Sequence, residues 1–153
     1  MAIFSLSFSI DVNVPLEVAF AYVADLTRHS EWNPGLKVTA ISESSTTVGS
    51  RFQSVGHIFG LEIHDDLCVT EYQPPVCFAF LVKSMGEELT HEFILQPTDG
   101  GTSIGRTATA TVSTLQKLLA PILSALFIRS EMIGSLERLK AKLEQTYPKA
   151  EEA

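Results

Sequence analysis

Four polar or charged side chains interrupt otherwise apolar strand segments, and they are of the types that could do chemistry: Ser54, Asp65, His91 and Arg106. A carboxylate, an imidazole and a guanidinium on one wall can orient a carbonyl or enol group and transfer a proton to it. Burying such charges is costly, so they imply mutual pairing, water in a cavity or a polar ligand group. Three alternatives stay open: Asp65 and Arg106 neutralise each other, a β-bulge turns one of them outward, or His91 is a hydrogen-bonded interior histidine.

Hairpin register is the reason for expecting these residues on one face of a sheet. Two-residue turns at Phe59–Gly60, Met85–Gly86 and Asp99–Gly100 would fix three hairpins. The resulting cross-strand pairs are Phe52 with Leu67, Ser54 with Asp65, Gly56 with Ile63, Ile58 with Leu61, Val82 with Leu89, Phe80 with His91, Phe78 with Phe93, Leu95 with Ile104, Phe93 with Arg106, and His91 with Ala108. Apart from the four polar residues this face is apolar, which predicts a concave wall around a cavity.

The elements that hold this wall follow from periodicity. Apolar residues alternate with Ser and Asp from Phe4 to Val12, which predicts a half-buried first strand. Pro15 suits the first turn of a short helix, and Thr27 is the predicted N-cap of a second one that ends near Trp32. From there to Val112, β-branched and aromatic alternation predicts an antiparallel meander of about six strands.

A long helix is predicted from Thr114 to about Tyr147, with Pro121 kinking or starting it. Its apolar stripe is Leu118, Ile122, Leu126, Ile133, Leu136, Leu139 or Lys140, and Leu143. Arg129 falls within this stripe and could reach a ligand carboxylate or Asp65. Alternatively, its long side chain extends along the helix flank to water.

Ligand contacts are expected from both walls of the cavity. The predicted contacts are Trp32, Phe52, Ser54, Ile63, Asp65, Phe78, Phe80, His91, Phe93, Arg106, Ile122, Leu126 and Arg129. With Pro34, Trp32 either caps the cavity mouth or anchors the short helices. A metal cluster is conceivable on the opposite sheet face, but alternating charge there is typical of a solvated surface. That cluster comprises His57, Glu62, His64 and Asp66.

Size and composition restrict the remaining possibilities. At 153 residues the chain suits one domain, expected over residues 1–148 with a frayed charged tail at 149–153. Eleven Lys and Arg against eighteen Asp and Glu argue against a nucleic-acid partner. Cys68 and Cys77 are expected to be free thiols, without a metal or other cofactor. We expect a cytoplasmic protein without a signal peptide or transmembrane segment, and a homodimer is possible.

Several short motifs occur in a familiar order along nearly the whole chain. They are Val14-Pro15-Leu16-Glu17 with Val23 and Asp25, Trp32 with Pro34, Gly49 to Phe52, Val69-Thr70-Glu71 before Pro74-Pro75, Gly101-Thr102, and Leu139-Lys140 to Leu143-Glu144. With this order of elements, the sequence resembles the polyketide cyclase/dehydratase and lipid-transport family of the START and birch-pollen-allergen-like (SRPBCC) superfamily. The resemblance implies an α+β helix-grip fold, in which a curved antiparallel sheet of six to seven strands surrounds a long C-terminal helix, with two short helices after strand 1.

The resemblance leaves the activity open because the superfamily includes carriers, cyclases and regulators. The favoured hypothesis is binding of a small hydrophobic, lipid-like or polyketide-like molecule, since the predicted wall is dominated by Phe, Leu, Ile and Val. The first alternative is a polyketide cyclase/dehydratase that uses Asp65, His91 and Arg106 as base, acid and oxyanion stabiliser. The second is a protein-interaction module with a packed interior.

Overall fold

A computed structural model of the chain describes residues 2–41, 45–58, 60–84, 86–112 and 129–148. Its elements are β1 Ala2–Val12, α1 Leu16–Val23, a 3-10 helix Leu26–Glu31, β2 Lys37–Ala40, β3 Arg51–Ile58, β4 Leu61–Gln73, β5 Cys77–Ser84, β6 Glu87–Thr98, β7 Gly101–Val112 and α2 Arg129–Thr146. The strands form one antiparallel sheet in the order β1-β7-β6-β5-β4-β3-β2. The predicted meander is confirmed.

The register of the three predicted hairpins is confirmed at every pair named from the sequence. A register shift does occur in β4, between Val69 and Glu71, but it lies beyond Asp65. In β7, Arg106 pairs without interruption with Phe93 on one side and Phe8 on the other. A bulge therefore does not move Asp65 or Arg106 to the outer face, and both share the concave face with the aromatic residues.

The first short helix begins as predicted, directly after Pro15. The N-cap assignment for the second was wrong, because Asp25 rather than Thr27 caps the 3-10 helix. The Asp25 carboxylate accepts hydrogen bonds from both the backbone N–H and the hydroxyl of Thr27. Asp is a strong N-cap residue, so it satisfies the free N–H groups two positions earlier than Thr27 would.

Helix α2 packs on the concave side of the sheet through a stripe that differs in part from the predicted one. Its buried residues are Met132, Ser135, Leu136, Leu139 and Leu143. Including Ile133 was wrong, because its side chain is 37% exposed. One helical residue turns the chain by about 100°, which carries position 133 out of the Met132 to Leu136 line. Several predictions for this helix fall outside the described residues: its start at Thr114, the kink or start at Pro121, and the ligand contacts Ile122 and Leu126.

Polar contacts fix α2 relative to the N-terminal elements. The Arg138 guanidinium Nε donates to the Trp32 carbonyl at 3.0 Å, and Lys140 Nζ donates to the Asp11 carbonyl at 2.7 Å. These bonds join the helix to the end of the 3-10 helix and to β1.

None of the helices within the described ranges combines the length and apolar content that a bilayer crossing demands.

Candidate functional site

Arg106 lies at the centre of the concave face, between the sheet and α2. Its guanidinium carbon is 5.4 Å from the Phe93 ring centroid and 5.6 Å from that of Trp32. Its Nη1 donates to Ser135 Oγ at 2.7 Å, and the Ser135 hydroxyl donates in turn to the Met132 carbonyl at 3.0 Å. Strand, 3-10 helix and α2 therefore all contribute to holding this one side chain.

The Arg106 charge has no acidic partner in the described part of the chain. No carboxylate there forms an ion pair with it, and its Nε is buried without a hydrogen-bond partner. Burial lowers the pKa of Arg106 to about 10, so the guanidinium is still protonated at neutral pH. A buried cation without a counter-ion among the described residues carries an uncompensated desolvation cost.

Two histidines beside Arg106 are neutral at physiological pH. His91 Nδ1 accepts a long hydrogen bond of 3.4 Å from Arg106 Nη2, and the imidazole stacks on Phe80. Burial, followed by the charges of Arg106 and His29, holds the pKa of His91 well below its usual value. Burial also lowers the pKa of His29 to about 4, and its Nε2 donates to the Val23 carbonyl at 2.8 Å.

Asp65 occupies the same face but stands apart from His91 and Arg106. It pairs with Ser54 in β3, and among the described residues its buried Oδ1 has no hydrogen-bond partner. With Ile63, Val82, Leu89 and Pro34 it lines a cavity of about 340 Å³. The hypothesis of a structural Asp65–Arg106 ion pair is wrong, because neither residue forms one within the described ranges.

The apolar wall consists of the aromatic residues predicted from the register. Phe52, Phe78, Phe80 and Phe93 are buried, and the Phe78 ring is tilted against Phe80 and stacked on Phe93. Trp32 is fully buried, with its ring 4.7 Å from that of His29 and 6.2 Å from that of Phe93. With its carbonyl bound to Arg138, Trp32 anchors the 3-10 helix and also forms part of the Arg106 site.

Sequence reasoning missed two residues of this cluster. Ser135 is a lone hydroxyl between apolar positions of the α2 stripe, and that interruption is a signal that could have identified it. His29 lies in the six-residue 3-10 helix, where hydrophobic periodicity is too short to show which side chains are buried. Its position behind Trp32 and Phe80 is a tertiary feature.

The predicted place of Arg129 in the inward stripe was wrong. Its side chain is exposed, and its guanidinium carbon lies 5.9 Å from the Phe8 ring centroid at the flank of the helix. Position 129 is the first residue of α2 as described, and the alternative of a side chain extended along the flank agrees with this placement.

Two groups of potential metal ligands lie away from the concave face. His64 Nε2 is 2.6 Å from Glu62 Oε1, with both side chains exposed, as expected for a solvated sheet face. Glu71, Cys77 and Glu92 bring ligand atoms within 4.8 Å of one another. The Cys77 thiol donates to Glu71 at 3.0 Å, and burial raises the pKa of this thiol to about 12. The hydrogen bond from the thiol holds Cys77 next to Glu71. Cys68 and Cys77 are free, as predicted.

The curved seven-stranded sheet, the short helices after β1 and the C-terminal helix on the concave face define a helix-grip protein. The solved structure of the di-domain ARO/CYC StfQ from the steffimycin biosynthetic pathway matches with a TM-score of 0.78 and 15% identity, over 94% of this chain and 52% of that one. Zhui aromatase/cyclase from Streptomyces sp. R1128 matches with a TM-score of 0.76 and 12% identity, over 94% and 95%. Ara h 8.0201 matches with a TM-score of 0.67 and 12% identity, over 94% and 99%.

The family follows from the sequence itself. Residues 4–144 match the family described as polyketide cyclase / dehydrase and lipid transport, and the chain belongs to this family. A search of curated proteins finds no match. The family resemblance and the helix-grip fold predicted from the sequence are thereby confirmed.

Proposed function

We propose that the protein binds a small hydrophobic molecule, lipid-like or polyketide-like, between the concave face of the sheet and the C-terminal helix. The observation that carries the proposal is an apolar wall in which three buried polar atoms lack partners among the described residues: Arg106 Nε, Asp65 Oδ1 and Trp32 Nε1. Each unsatisfied buried group costs about 1–3 kcal/mol, and in a permanently packed interior nothing would offset this cost.

A ligand with an apolar body and a few oxygens would fit this wall. Its body would contact the phenylalanine rings, and its oxygens would supply the missing hydrogen-bond partners. The cavity of about 340 Å³ beside Asp65 supports this proposal because residues of the concave face line it together with the segment 33–36 that follows Trp32. This volume lies within the range of small-ligand sites.

A fluorescence titration with the neutral apolar probe N-phenyl-1-naphthylamine tests binding. Wild type should bind the probe saturably, and Ile63→Phe should weaken binding because the larger ring narrows the cavity that Ile63 lines. Leu61→Phe is the matched control, since Leu61 lies on the same strand but is 69% exposed at its start. Native mass spectrometry should also detect a bound apolar compound. Absence of probe uptake would favour an interaction module with a packed interior.

A second candidate is a polyketide cyclase/dehydratase, favoured by the contact between neutral His91 and cationic Arg106. Arg106 could stabilise the enolate oxygen that forms when water removes a proton from a carbon next to a carbonyl, and the Nε2–H of neutral His91 could donate a hydrogen bond to a second carbonyl. The enolate carbon would then bond to a second carbonyl carbon, and protonation with loss of water would complete the ring.

Mass spectrometry of a synthetic oligoketide thioester incubated with the protein tests the cyclase. A product lighter by one water should form with wild type and disappear with His91→Ala. Asp65→Asn should reduce its formation less, because no hydrogen bond links Asp65 to His91 or Arg106 within the described residues. Equal product formation by wild type and His91→Ala would exclude this assignment.

A further inference from the structure

We infer that the ligand carries an anionic oxygen group, of carboxylate type, which binds the guanidinium of Arg106. The inference rests on the proposed binding function and specifies the class of ligand as an amphipathic acid. It starts from the enclosed positive charge of Arg106, for which the described part of the chain provides no counter-ion.

The groups that surround Arg106 leave its charge uncompensated. Ser135 is uncharged, His91 and His29 are neutral at physiological pH because burial lowers their pKa values, and the other neighbours among the described residues are the rings of Trp32 and Phe93. Aromatic faces attract a cation but do not neutralise it. The site therefore carries one net positive charge, which a single anionic group on the ligand would balance.

Hydrogen-bond direction supports the same conclusion. The Ser135 hydroxyl donates its proton to the Met132 carbonyl, so it can only accept from Arg106 Nη1. His91 accepts from Nη2 at a long distance of 3.4 Å. Nε remains buried with its N–H unused by any described residue. An unused guanidinium N–H lies in the plane of the guanidinium, where a carboxylate binds Arg most strongly.

Competition among three molecules with the same ten-carbon chain tests the inference. Decanoic acid, decanol and decylamine differ only in the charge of the head group and would each displace the neutral probe N-phenyl-1-naphthylamine at neutral pH. We expect decanoic acid to displace the probe at an about tenfold lower concentration than decanol, because a charge-assisted hydrogen bond is stronger than a neutral one. Decylamine should be the weakest competitor, since its charge repels Arg106.

Two variants test whether Arg106 is responsible for the preference for decanoic acid over decanol. In Arg106→Met the advantage of decanoic acid over decanol should disappear, while the affinity for decanol stays within about twofold. Lys83→Met is the matched control, because it removes one positive charge from an exposed position of β5 and should retain the full preference. The melting temperature of Arg106→Met should not fall, since the substitution removes an enclosed charge that lacks a counter-ion.

The outcomes separate the inference from the proposed function. Probe binding with equal competition by decanoic acid and decanol, or a preference for the acid that survives in Arg106→Met, would overturn the inference and leave the proposed function standing. Failure of wild type to bind the probe or any competitor would overturn both. A large loss of melting temperature in Arg106→Met would show that the arginine is structural and would also overturn the inference.

Discussion

Two neutral histidines and one arginine share the interior of this protein at close range. Burial keeps both imidazoles neutral, and their hydrogen bonds determine which ring nitrogen carries the proton. The Val23 carbonyl accepts the Nε2 proton of His29, and Arg106 donates to Nδ1 of His91. Protonating either imidazole would place a second positive charge near Arg106, whose own charge has no counter-ion among the described residues. The stability of the fold is therefore linked to pH through these residues.

His29 gives this linkage a defined window and sign. An unfolded histidine titrates at its usual pKa of 6.5, whereas burial lowers the pKa of folded His29 to about 4. Between these values the unfolded chain binds a proton that the folded chain does not. The free energy of unfolding should therefore fall as the pH drops from about 6.5 to about 4, by up to about 3 kcal/mol from His29. The pKa of His91 is lowered too, so its protonation in the unfolded chain should also reduce the free energy of unfolding as the pH drops.

Urea denaturation at several pH values tests this linkage. His29→Gln should show a smaller loss of stability between about pH 7 and about pH 4.5 than wild type, because glutamine cannot be protonated there. Its side-chain N–H can still donate to the Val23 carbonyl, which keeps the native hydrogen bond available. An unchanged pH slope in this variant would contradict the assignment to His29.

Residue positions were predictable where short-range geometry determines them. Alternation and two-residue turns were enough to place Asp65, His91 and Arg106 on one face with their cross-strand partners. The contacts of Arg106 with Trp32 and Ser135 could not be predicted, because they join elements that are distant in the sequence and depend on how α2 is seated. The predicted ion pair between Asp65 and Arg106 was wrong for the same reason. Two residues on the same face of a sheet need not be in contact with each other.

Elements differ in how strictly the sequence specifies them. In the sheet, a shift of one residue would turn the four buried phenylalanines of the concave face outward, so the register is strongly determined. In α2, Ile133 and Leu136 are similarly apolar, and small rotations of the helix cost little in hydrophobicity alone. The hydrogen bond from Arg138 to the Trp32 carbonyl favours one rotation.

A pair of truncations in α2 tests this rotation. Leu139→Ala should reduce the free energy of unfolding by about 3 kcal/mol, because Leu139 is fully buried and its loss would leave a cavity. Ile133→Ala should cost less than about 1 kcal/mol, since Ile133 is partly exposed. Thermal or urea denaturation compares the two variants. Equal losses would indicate that the helix presents a different face to the sheet.

The whole molecule combines an acidic net charge with one buried cation, Arg106. The formal net charge is −7, so the outer surface has no general attraction for anions. Any preference for an acidic ligand must therefore arise from Arg106 at short range. The helix-grip fold accommodates many functions, and the polar groups on its concave face decide which one a given chain performs.

Trp32 makes the interior directly observable, because it is the single tryptophan of the chain, is fully buried and lies 5.6 Å from the Arg106 guanidinium carbon. In 2-bromodecanoic acid, the bromine quenches tryptophan fluorescence only near contact and sits beside the carboxylate. A titration should quench Trp32 strongly and saturably at one molecule per chain, while the water-soluble quencher acrylamide has little effect. Weak, unsaturable quenching by the brominated acid, no greater than that by acrylamide, would contradict a ligand site inside this fold.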